Sequence, residues 1–443
     1  MTKENNFLRW FAIIVFFLLP FNIKKYIGPL VPHAQNYSLE FSSIFLFVIE
    51  LLVIAFIFIV FFYKKKELSL ICRENWPFLV FSLLSFISVS VADNILLGVV
   101  FSFHILIAVL FMCCIGVLVR NHIISVRDIM KAFAVSALVQ VEIALLQFLN
   151  QGSIGLRFLG EEVFNEFTRN IAKFNVFEAL FLRPYGTLSH PNILGAVFVV
   201  GFIAWIYLFV APSKRHGVAH RSVALIGLFF LALGLIVSFS RSAWFVSLFL
   251  YIICILFLFF KKQFKHTARE LLIAGLVVGT TVFGIFGWAI VSRGTVEKTD
   301  SAIQERVIYS HIARSLINQY PFGVGVGNGI MSAEREGLYN TYKLTNLATH
   351  QPVHNIYLLV AEELGILGFI VFCFSIIKII VERRKNLFLL DYFFPLLLIT
   401  IFILTGFFDH YAITNNVGRL MFFGVLGIMI GLPREYIKKH DIY

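Results

Sequence analysis

Long apolar stretches, separated by short polar or basic segments, run along most of the chain. A helix needs about 20 apolar residues to cross the hydrocarbon core of a bilayer. The pattern therefore predicts an all-α polytopic membrane protein with about 12 transmembrane helices. The runs that reach or approach this length are Leu8–Ile23, Phe41–Tyr63, Trp76–Val91, Leu97–Val119, Ile129–Leu149, Asn192–Val210, Ser222–Ser240, Ser242–Phe260, Leu271–Ser292, Ile356–Ile380, Phe388–Phe408 and Ala412–Leu432.

One apolar stretch is too long to be a single span. Ser222–Phe260 contains one charged residue, Arg241. As one helix, at about 1.5 Å per residue, this stretch would be roughly 58 Å long, nearly twice the thickness of a bilayer core. It is therefore predicted to fold back near its middle, with Arg241 at an edge of the membrane.

The distribution of basic residues predicts the orientation. Lys and Arg concentrate in short segments that alternate between the apolar runs, and such segments face the cytoplasm. This places both termini inside and two long segments, Gln151–Pro191 and Arg293–His354, outside. The basic residues on the inner side are Lys3, Arg9, Lys64, Lys65, Lys66, Arg73, Arg120, Arg127, Lys131, Lys214, Arg215, Arg221, Lys261, Lys262, Lys265, Arg269, Lys378, Arg383, Arg384, Lys385, Arg434, Lys438 and Lys439.

Both outer segments are predicted to contain helices. In the first, aromatic and aliphatic residues recur every three or four positions: Phe164, Phe167, Ile171, Phe174, Phe177 and Phe181. This spacing is typical of a helix lying in the outer membrane interface. A re-entrant or ordinary surface helix is the alternative. In the second segment, Ser301–Gln319 has an apolar face with Arg306 on its border.

A glycine-rich run, Gly323–Gly329, follows the second predicted outer helix. Its spacing matches neither the dinucleotide-binding fingerprint nor a Walker A loop. One interpretation is a tight turn. The other is a backbone nest whose N–H groups would bind a phosphate.

Composition narrows the class of protein. Of the 443 residues, 59% are hydrophobic, 52 are Phe and only 14% are charged, against about 25% charged in soluble domains. This excludes a cytosolic enzyme, a disulfide-stapled secreted domain and a disordered chain. The net charge of +12 reflects the basic inner segments and does not indicate nucleic-acid binding. The five cysteines lie in apolar runs or on the inner side, where they are expected to be small hydrophobic residues.

Several polar side chains gather on the predicted outer side: Arg183, Arg241, Arg306, His350 and His354. The guanidinium group matches phosphate oxygens, and His can act as a base near neutral pH. Together they suggest a basic pocket for a membrane-borne pyrophosphate. The alternatives are interfacial snorkelling for each arginine and helix capping or hydrogen bonding for the histidines.

Ionisable residues inside or near the apolar runs favour a different class, a proton-coupled transporter or lipid flippase. They fit interhelical hydrogen bonds equally well. These residues are Glu50, His104, Glu142, Glu362 and Glu363. No repeated halves, as expected of many transporters, are evident. A structural scaffold protein is a third alternative. The sequence has no Asp-x-Asp, HExxH, GxSxG or zinc-type Cys/His spacing, so no metal site is expected.

Four motifs, in order, resemble the O-antigen ligase and polymerase family of bacterial membrane glycosyltransferases. They are Arg183-Pro-Tyr-Gly-Thr-Leu-Ser-His190-Pro-Asn192, Ser240-Arg241-Ser-Ala, Pro321-Phe-Gly-Val-Gly-Val-Gly327, and His354-Asn355-Ile-Tyr-Leu followed by Glu362 and Gly365-Ile-Leu-Gly368. Residues 1–443 are interpreted as a single membrane domain. Residues 181–370 form its O-antigen ligase-like region, with a large outer loop at residues 293–354.

The resemblance implies metal-independent, cofactor-independent transfer of a glycan from undecaprenyl pyrophosphate at the outer face of the cytoplasmic membrane. It implies that Arg241 and Arg306 hold the pyrophosphate and that His354 is the base. The acceptor is lipid A core in ligases, another lipid-linked glycan in polymerases and a protein in some relatives. The residues expected to bind substrate are Arg183, His190, Asn192, His350 and Asn355.

Overall fold

A computed structural model describes residues 2–30, 39–168, 171–176, 179–211, 218–294 and 301–435, which are mostly helical. The helices in these residues are α1 Lys3–Leu18, α2 Leu39–Ser42, α3 Val48–Glu74, α4 Trp76–Ser88, α5 Ile95–Arg120, α6 Val126–Asn150, α7 Pro191–Val210, α8 Val218–Val237, α9 Arg241–Phe259, α10 Lys265–Gly294, α11 Ser301–Gln319, α12 Gly329–Arg335, α13 Leu338–Thr341, α14 Ile356–Glu382, α15 Leu390–Thr405, α16 Tyr411–Thr414 and α17 Asn416–Gly431. The strands are β1 Lys24–Pro29, β2 Ser43–Phe47, β3 Lys173–Val176 and β4 Ala179–Leu182.

Six helices in the described residues are long and apolar enough to cross a membrane. They are Ile95–Arg120, Val126–Asn150, Pro191–Val210, Arg241–Phe259, Lys262–Arg293 and Ile356–Glu382. Shorter apolar helices occupy Trp76–Val91, Ser222–Val237, Leu390–Thr405 and Asn416–Gly431. These helices agree with a multi-pass membrane protein built mainly from helices. The number of twelve spans and their orientation stay predictions.

The chain divides into two compact units. The first comprises Met1–Ala12, Lys24–Ile124 and Thr299–Tyr443, and the second Ile13–Ile23 and Ser125–Lys298. Small residues allow close helix packing in both, as is common between membrane helices. In the first, a Cβ on Gly427 of α17 would lie 2.7 Å from the Met112 carbonyl of α5.

Two predicted features of the helices are confirmed. The long apolar stretch breaks where α8 ends at Val237 and α9 begins at Arg241. The helix predicted over Ser301–Gln319 is α11, and its apolar face is buried at Tyr309 and Leu316. The first prediction rested on the length of the apolar stretch, and the second rested on the helical spacing of apolar residues.

The predicted interfacial helix in the first outer segment is wrong. Lys173–Val176 and Ala179–Leu182 form an antiparallel hairpin in which Phe174 pairs with Phe181. Their rings lie 5.7 Å apart between centroids. Cross-strand aromatic pairs stabilise hairpins, and aromatic residues favour strands, so the same phenylalanines serve a sheet as well as a helix. Phe177 lies outside the described residues.

A second hairpin shortens a predicted span. Ser43–Phe47, placed in the span Phe41–Tyr63, is a strand that pairs antiparallel with Lys24–Pro29. The following helix therefore begins at Val48. A short apolar run has the same hydropathy in a buried strand as in a helix, so hydropathy does not distinguish the two structures.

Candidate functional site

Arg241 is the first residue of α9, directly after a tight turn. Phe239 in this turn has a φ of 49°, which non-glycine residues rarely adopt and which the surroundings must enforce. Its ring packs 4.1 Å from that of Phe174, and the Ser238 hydroxyl donates to the Leu235 carbonyl at 2.7 Å. Arg241 thus stands on a fixed turn at a helix N-terminus, where the backbone also favours an anion.

Arg183 and Asn192 hold this turn from the loop before α7. Arg183 is only 4% exposed. Its Nε and Nη2 donate to the Ser238 carbonyl at 3.2 and 3.1 Å, and Nη2 donates to Asn192 Oδ1 at 2.9 Å. Arg293 Nε donates to the next carbonyl, that of Phe239, at 3.4 Å. Guanidinium groups therefore bind two successive carbonyls of the turn that carries Arg241.

His190 caps α7. Its Nδ1 accepts a hydrogen bond from the Asn192 amide at 3.1 Å, and Pro191 occupies the first position of the helix. A side-chain acceptor at this position satisfies one of the unpaired N-terminal amides. This is the helix-capping role considered for the histidines, here found at His190. Contact of His190 with a substrate stays a prediction.

Arg306 lies on α11 in the first unit. Its backbone carbonyl accepts from the Ser310 hydroxyl at 2.8 Å. Within the described ranges, its guanidinium has no hydrogen bond or salt bridge to another side chain. Its side chain is half-buried. A positive charge so placed, without a carboxylate partner in this part of the chain, is suited to binding an anionic ligand.

His354 lies beside the same helix. Tyr309, one turn after Arg306, stacks on His354 with centroids 5.7 Å apart and an interplanar angle of 16°. His410 also meets His354 edge-on, with centroids 4.9 Å apart and an angle of 77°. Arg306 thus lies one helical turn from the residue that stacks on His354, within the first unit. Their joint part in a basic pocket stays a prediction.

The start of α14 fixes the backbone of His354. Asn355 is the N-cap, and its Oδ1 accepts from the amides of Tyr357 and Leu358 at 2.9 and 3.0 Å. The Ile356 amide donates to the Gly406 carbonyl at 2.9 Å. The geometry of Asn355 is that of a capping residue, so its described contacts position His354.

His350 is buried and engaged through both ring nitrogens. Nδ1 lies 2.5 Å from Glu334 Oε1, and Nε2 lies 2.8 Å from the Leu344 carbonyl. Its ring stacks on Tyr339 with centroids 3.8 Å apart. These contacts fasten the segment that contains α12 and α13 to itself. Binding of substrate by His350 stays a prediction.

The structure favours the tight turn over the phosphate nest at the glycine-rich run. Five of the seven amides of Gly323–Gly329 donate hydrogen bonds inside the first unit. Gly323 donates to Tyr320 O, Val324 to Glu362 O, Gly325 to Glu363 O, Val326 to Ser88 Oγ and Asn328 to Gly325 O. The run inserts where α14 is broken at Gly365 (φ 72°), and it binds the carbonyls that the break leaves open.

Two ionisable residues from the predicted spans form an interhelical hydrogen bond. Glu50 Oε1 on α3 lies 2.5 Å from His104 Nδ1 on α5. A buried carboxylate needs such a partner in an apolar setting. For this pair the contact agrees with helix–helix association, the second of the two interpretations of these residues.

Helix α11 carries perturbed titrating groups. Burial raises the pKa of the Glu305 carboxyl above its ordinary value. Burial, together with the Glu305 charge, raises the pKa of Tyr309. Perturbed groups of this kind cluster at functional sites. Tyr309 therefore stays a neutral phenol whose hydroxyl donates to the Thr349 carbonyl.

The predicted residues fall into two groups. Arg306, His350, His354 and Asn355 belong to the first unit, and Arg183, His190, Asn192 and Arg241 to the second. Sequence reasoning missed Tyr309 and His410 as neighbours of His354. The signal available for His410 is its place next to Asp409, as a polar pair just before the last apolar run. In the described part of the chain, no group of three or more His, Cys, Asp or Glu is arranged to hold a metal ion.

Comparison with known proteins gives one family. Residues 226–373, about a third of the chain, match the family model described as O-antigen ligase. This segment contains Arg241, Arg306, His350, His354 and Asn355. No curated protein matches the chain.

Proposed function

Because residues 226–373 belong to the O-antigen ligase family, we propose that the chain transfers or polymerises a glycan carried on undecaprenyl pyrophosphate. In this proposal the protein has twelve spans with both termini inside. Residues 293–354 form an outer loop, and the reaction takes place at the outer face of the cytoplasmic membrane. The basic inner segments support this orientation.

The observation that carries the proposal is the arrangement on α11 and at the start of α14. Arg306, without a carboxylate partner in the described ranges, stands one turn from the tyrosine that stacks on His354. A cation for a phosphate and a base for a hydroxyl are the two groups that this transfer needs. Arg241 enters the proposal as a second cation through the motif Ser240-Arg241-Ser-Ala and its resemblance to the family.

The reaction follows from these roles. The acceptor hydroxyl oxygen attacks the anomeric carbon, and its proton passes to His354. The bond from that carbon to the pyrophosphate oxygen breaks, and the electron pair leaves with the undecaprenyl pyrophosphate. Arg241 and Arg306 stabilise the growing negative charge. Removing one preorganised donor of this kind typically costs about 3–4 kcal/mol, or roughly 100- to 1,000-fold in rate.

Reconstitution tests the proposal. Purified protein in liposomes receives an undecaprenyl-pyrophosphate-linked glycan with a labelled sugar, together with lipid A core in one arm and further lipid-linked glycan in the other. We expect a labelled glycosidic product in one arm, at an undiminished rate in EDTA. Label that crosses the bilayer without product formation would indicate a flippase and contradict the proposal.

A further inference from the structure

His410 lies in the loop between α15 and α16 and is 7% exposed. Its ring meets His354 edge-on at 4.9 Å between centroids and Phe41 at 5.5 Å. The proposed function assigns no role to it. Burial of an imidazole next to the predicted base needs an explanation, because polar rings are seldom packed together without purpose or partner.

The ring of His410 is held in one orientation. Its Nδ1 forms a 2.6 Å hydrogen bond with Thr414 Oγ1, and its backbone amide donates to Asp409 Oδ1 at 2.9 Å. Arg419, which is 1% exposed, donates from Nη1 to the Ile413 carbonyl at 2.8 Å. The short helix α16 is thus fixed at both ends, and with it the position of Thr414.

The two histidines are also tied through the backbone. The start of α14 docks on the loop that leads to His410, with the Ile356 amide on the Gly406 carbonyl at 2.9 Å. The Tyr357 hydroxyl donates to the Ile403 carbonyl at 2.8 Å. A Cβ on Gly406 would lie 2.5 Å from Ile356 Cδ1, so the loop and the helix are in close contact. The separation of His354 and His410 is therefore set by the fold.

We propose that His410 is a positioning residue for His354. Tyr309 covers the face of the His354 imidazole, and His410 supports it edge-on, so the ring cannot rotate away from the acceptor hydroxyl. Thr414 acts indirectly, because it holds His410 in place and His410 then positions His354. A base displaced by about 1 Å loses on the order of 100-fold in rate. This inference rests on the proposed transferase function and adds a residue to it.

A pair of conservative substitutions at Thr414 tests it. Thr414→Val removes the hydroxyl and keeps the shape, whereas Thr414→Ser keeps the hydroxyl. In the reconstituted transfer assay we expect Thr414→Val to lower kcat per folded molecule about tenfold, with KM for the lipid-linked donor within about twofold. The lost hydrogen bond is expected to lower the melting temperature by about 1–4 °C. Thr414→Ser is expected to restore both the wild-type kcat and the wild-type melting temperature. A merely structural role would lower the melting temperature but leave kcat per folded molecule at the wild-type value.

His410→Asn decides the case if Thr414→Val is unstable. Asn keeps a hydrogen-bonding atom near the position of Nδ1 but lacks the part of the ring that contacts His354. We expect a loss of kcat of roughly 10- to 100-fold. Wild-type kcat in both His410→Asn and Thr414→Val, alongside an inactive His354→Ala, would overturn this inference and leave the proposed function standing. Wild-type protein that forms no product would overturn both.

Discussion

Arg183 donates two hydrogen bonds to the Ser238 carbonyl, at 3.2 and 3.1 Å, three residues before Arg241. The arginine that the sequence marked as a substrate ligand thus binds backbone in the structure. Its described hydrogen bonds stabilise the turn at Phe239, and this turn in turn positions Arg241, the proposed pyrophosphate ligand. The consequences of losing Arg183 and Arg241 should therefore differ in kind.

Arg183→Met is expected to lower both stability and activity. Met fills most of the volume but leaves the Ser238 carbonyl without its two donors, and a buried unsatisfied group typically costs about 1–3 kcal/mol. Thermal unfolding in detergent and the transfer assay report the two effects. Arg241→Ala is the comparison, with lost transfer at a nearly unchanged melting temperature. Arg183→Met with wild-type stability and activity would show that the turn does not need this guanidinium.

Arg306→Ala is expected to lower the transfer rate by roughly 100-fold or more without reducing the amount of folded protein. Its guanidinium has no hydrogen bond or salt bridge to lose among the described residues. Arg314, exposed on the same helix, provides the control, because Arg314→Ala removes equal charge from α11. Equal losses in the two variants would mean that Arg306 acts only through general electrostatics.

Gly365→Ala is expected to destabilise the first unit. Gly365 has a φ of 72°, and a Cβ there would lie 2.5 Å from the Phe322 carbonyl carbon. The strain alone costs on the order of 1–3 kcal/mol. Gly284→Ala on α10 is the matched control, since a Cβ there meets nothing within 4 Å and Ala favours a helix. A melting temperature for Gly365→Ala as high as for Gly284→Ala would contradict this account of the broken helix.

Glu74→Gln is expected to show a pH-dependent loss of stability. The Arg120 guanidinium, bound to both carboxylate oxygens at 3.1 and 2.7 Å, lowers the pKa of Glu74 below its ordinary 4.5. A lowered folded-state pKa contributes stability above the unfolded-state pKa, and this contribution disappears as the pH falls through the folded-state value. At pH 7 the variant should melt roughly 1–3 °C below the wild type.

Melting curves at pH 7 and below pH 4.5 measure that difference, which should shrink in acid. The exposed Glu4 gives the control: Glu4→Gln should follow the wild type at both pH values. A gap that stays constant with pH would show that the carboxylate charge is not what stabilises this end of α3.

The sequence predicted those features that length and periodicity determine. The break before Arg241 follows from a stretch too long for one span, and α11 follows from apolar residues at helical spacing. The hairpin that contains Phe174 and Phe181 did not follow, because phenylalanines at this spacing satisfy both a helix face and a cross-strand pair. Tertiary contact with Phe239, distant in sequence, accompanies the strand form.

The site was predictable by residue type but not by contact. Arg306 lies one helical turn from Tyr309, which stacks on His354, and their joint role in a site stays a prediction. The support of His354 by Tyr309 and His410 depends on how α11 and the loop before α16 pack, which no local pattern encodes. Likewise, the amides of Val324 and Gly325 have acceptors on α14, and that of Val326 has one on α4, which only the folded chain reveals.

The transfer rate of His354→Ala in the reconstituted system tests the central claim most directly. Removing a general base typically costs about 100- to 10,000-fold, so labelled product should fall to that extent while the folded fraction stays constant. His311→Ala, on the exposed side of α11, should keep the wild-type rate. If His354→Ala forms the glycosidic product as fast as the wild type and His311→Ala, the proposed mechanism is contradicted.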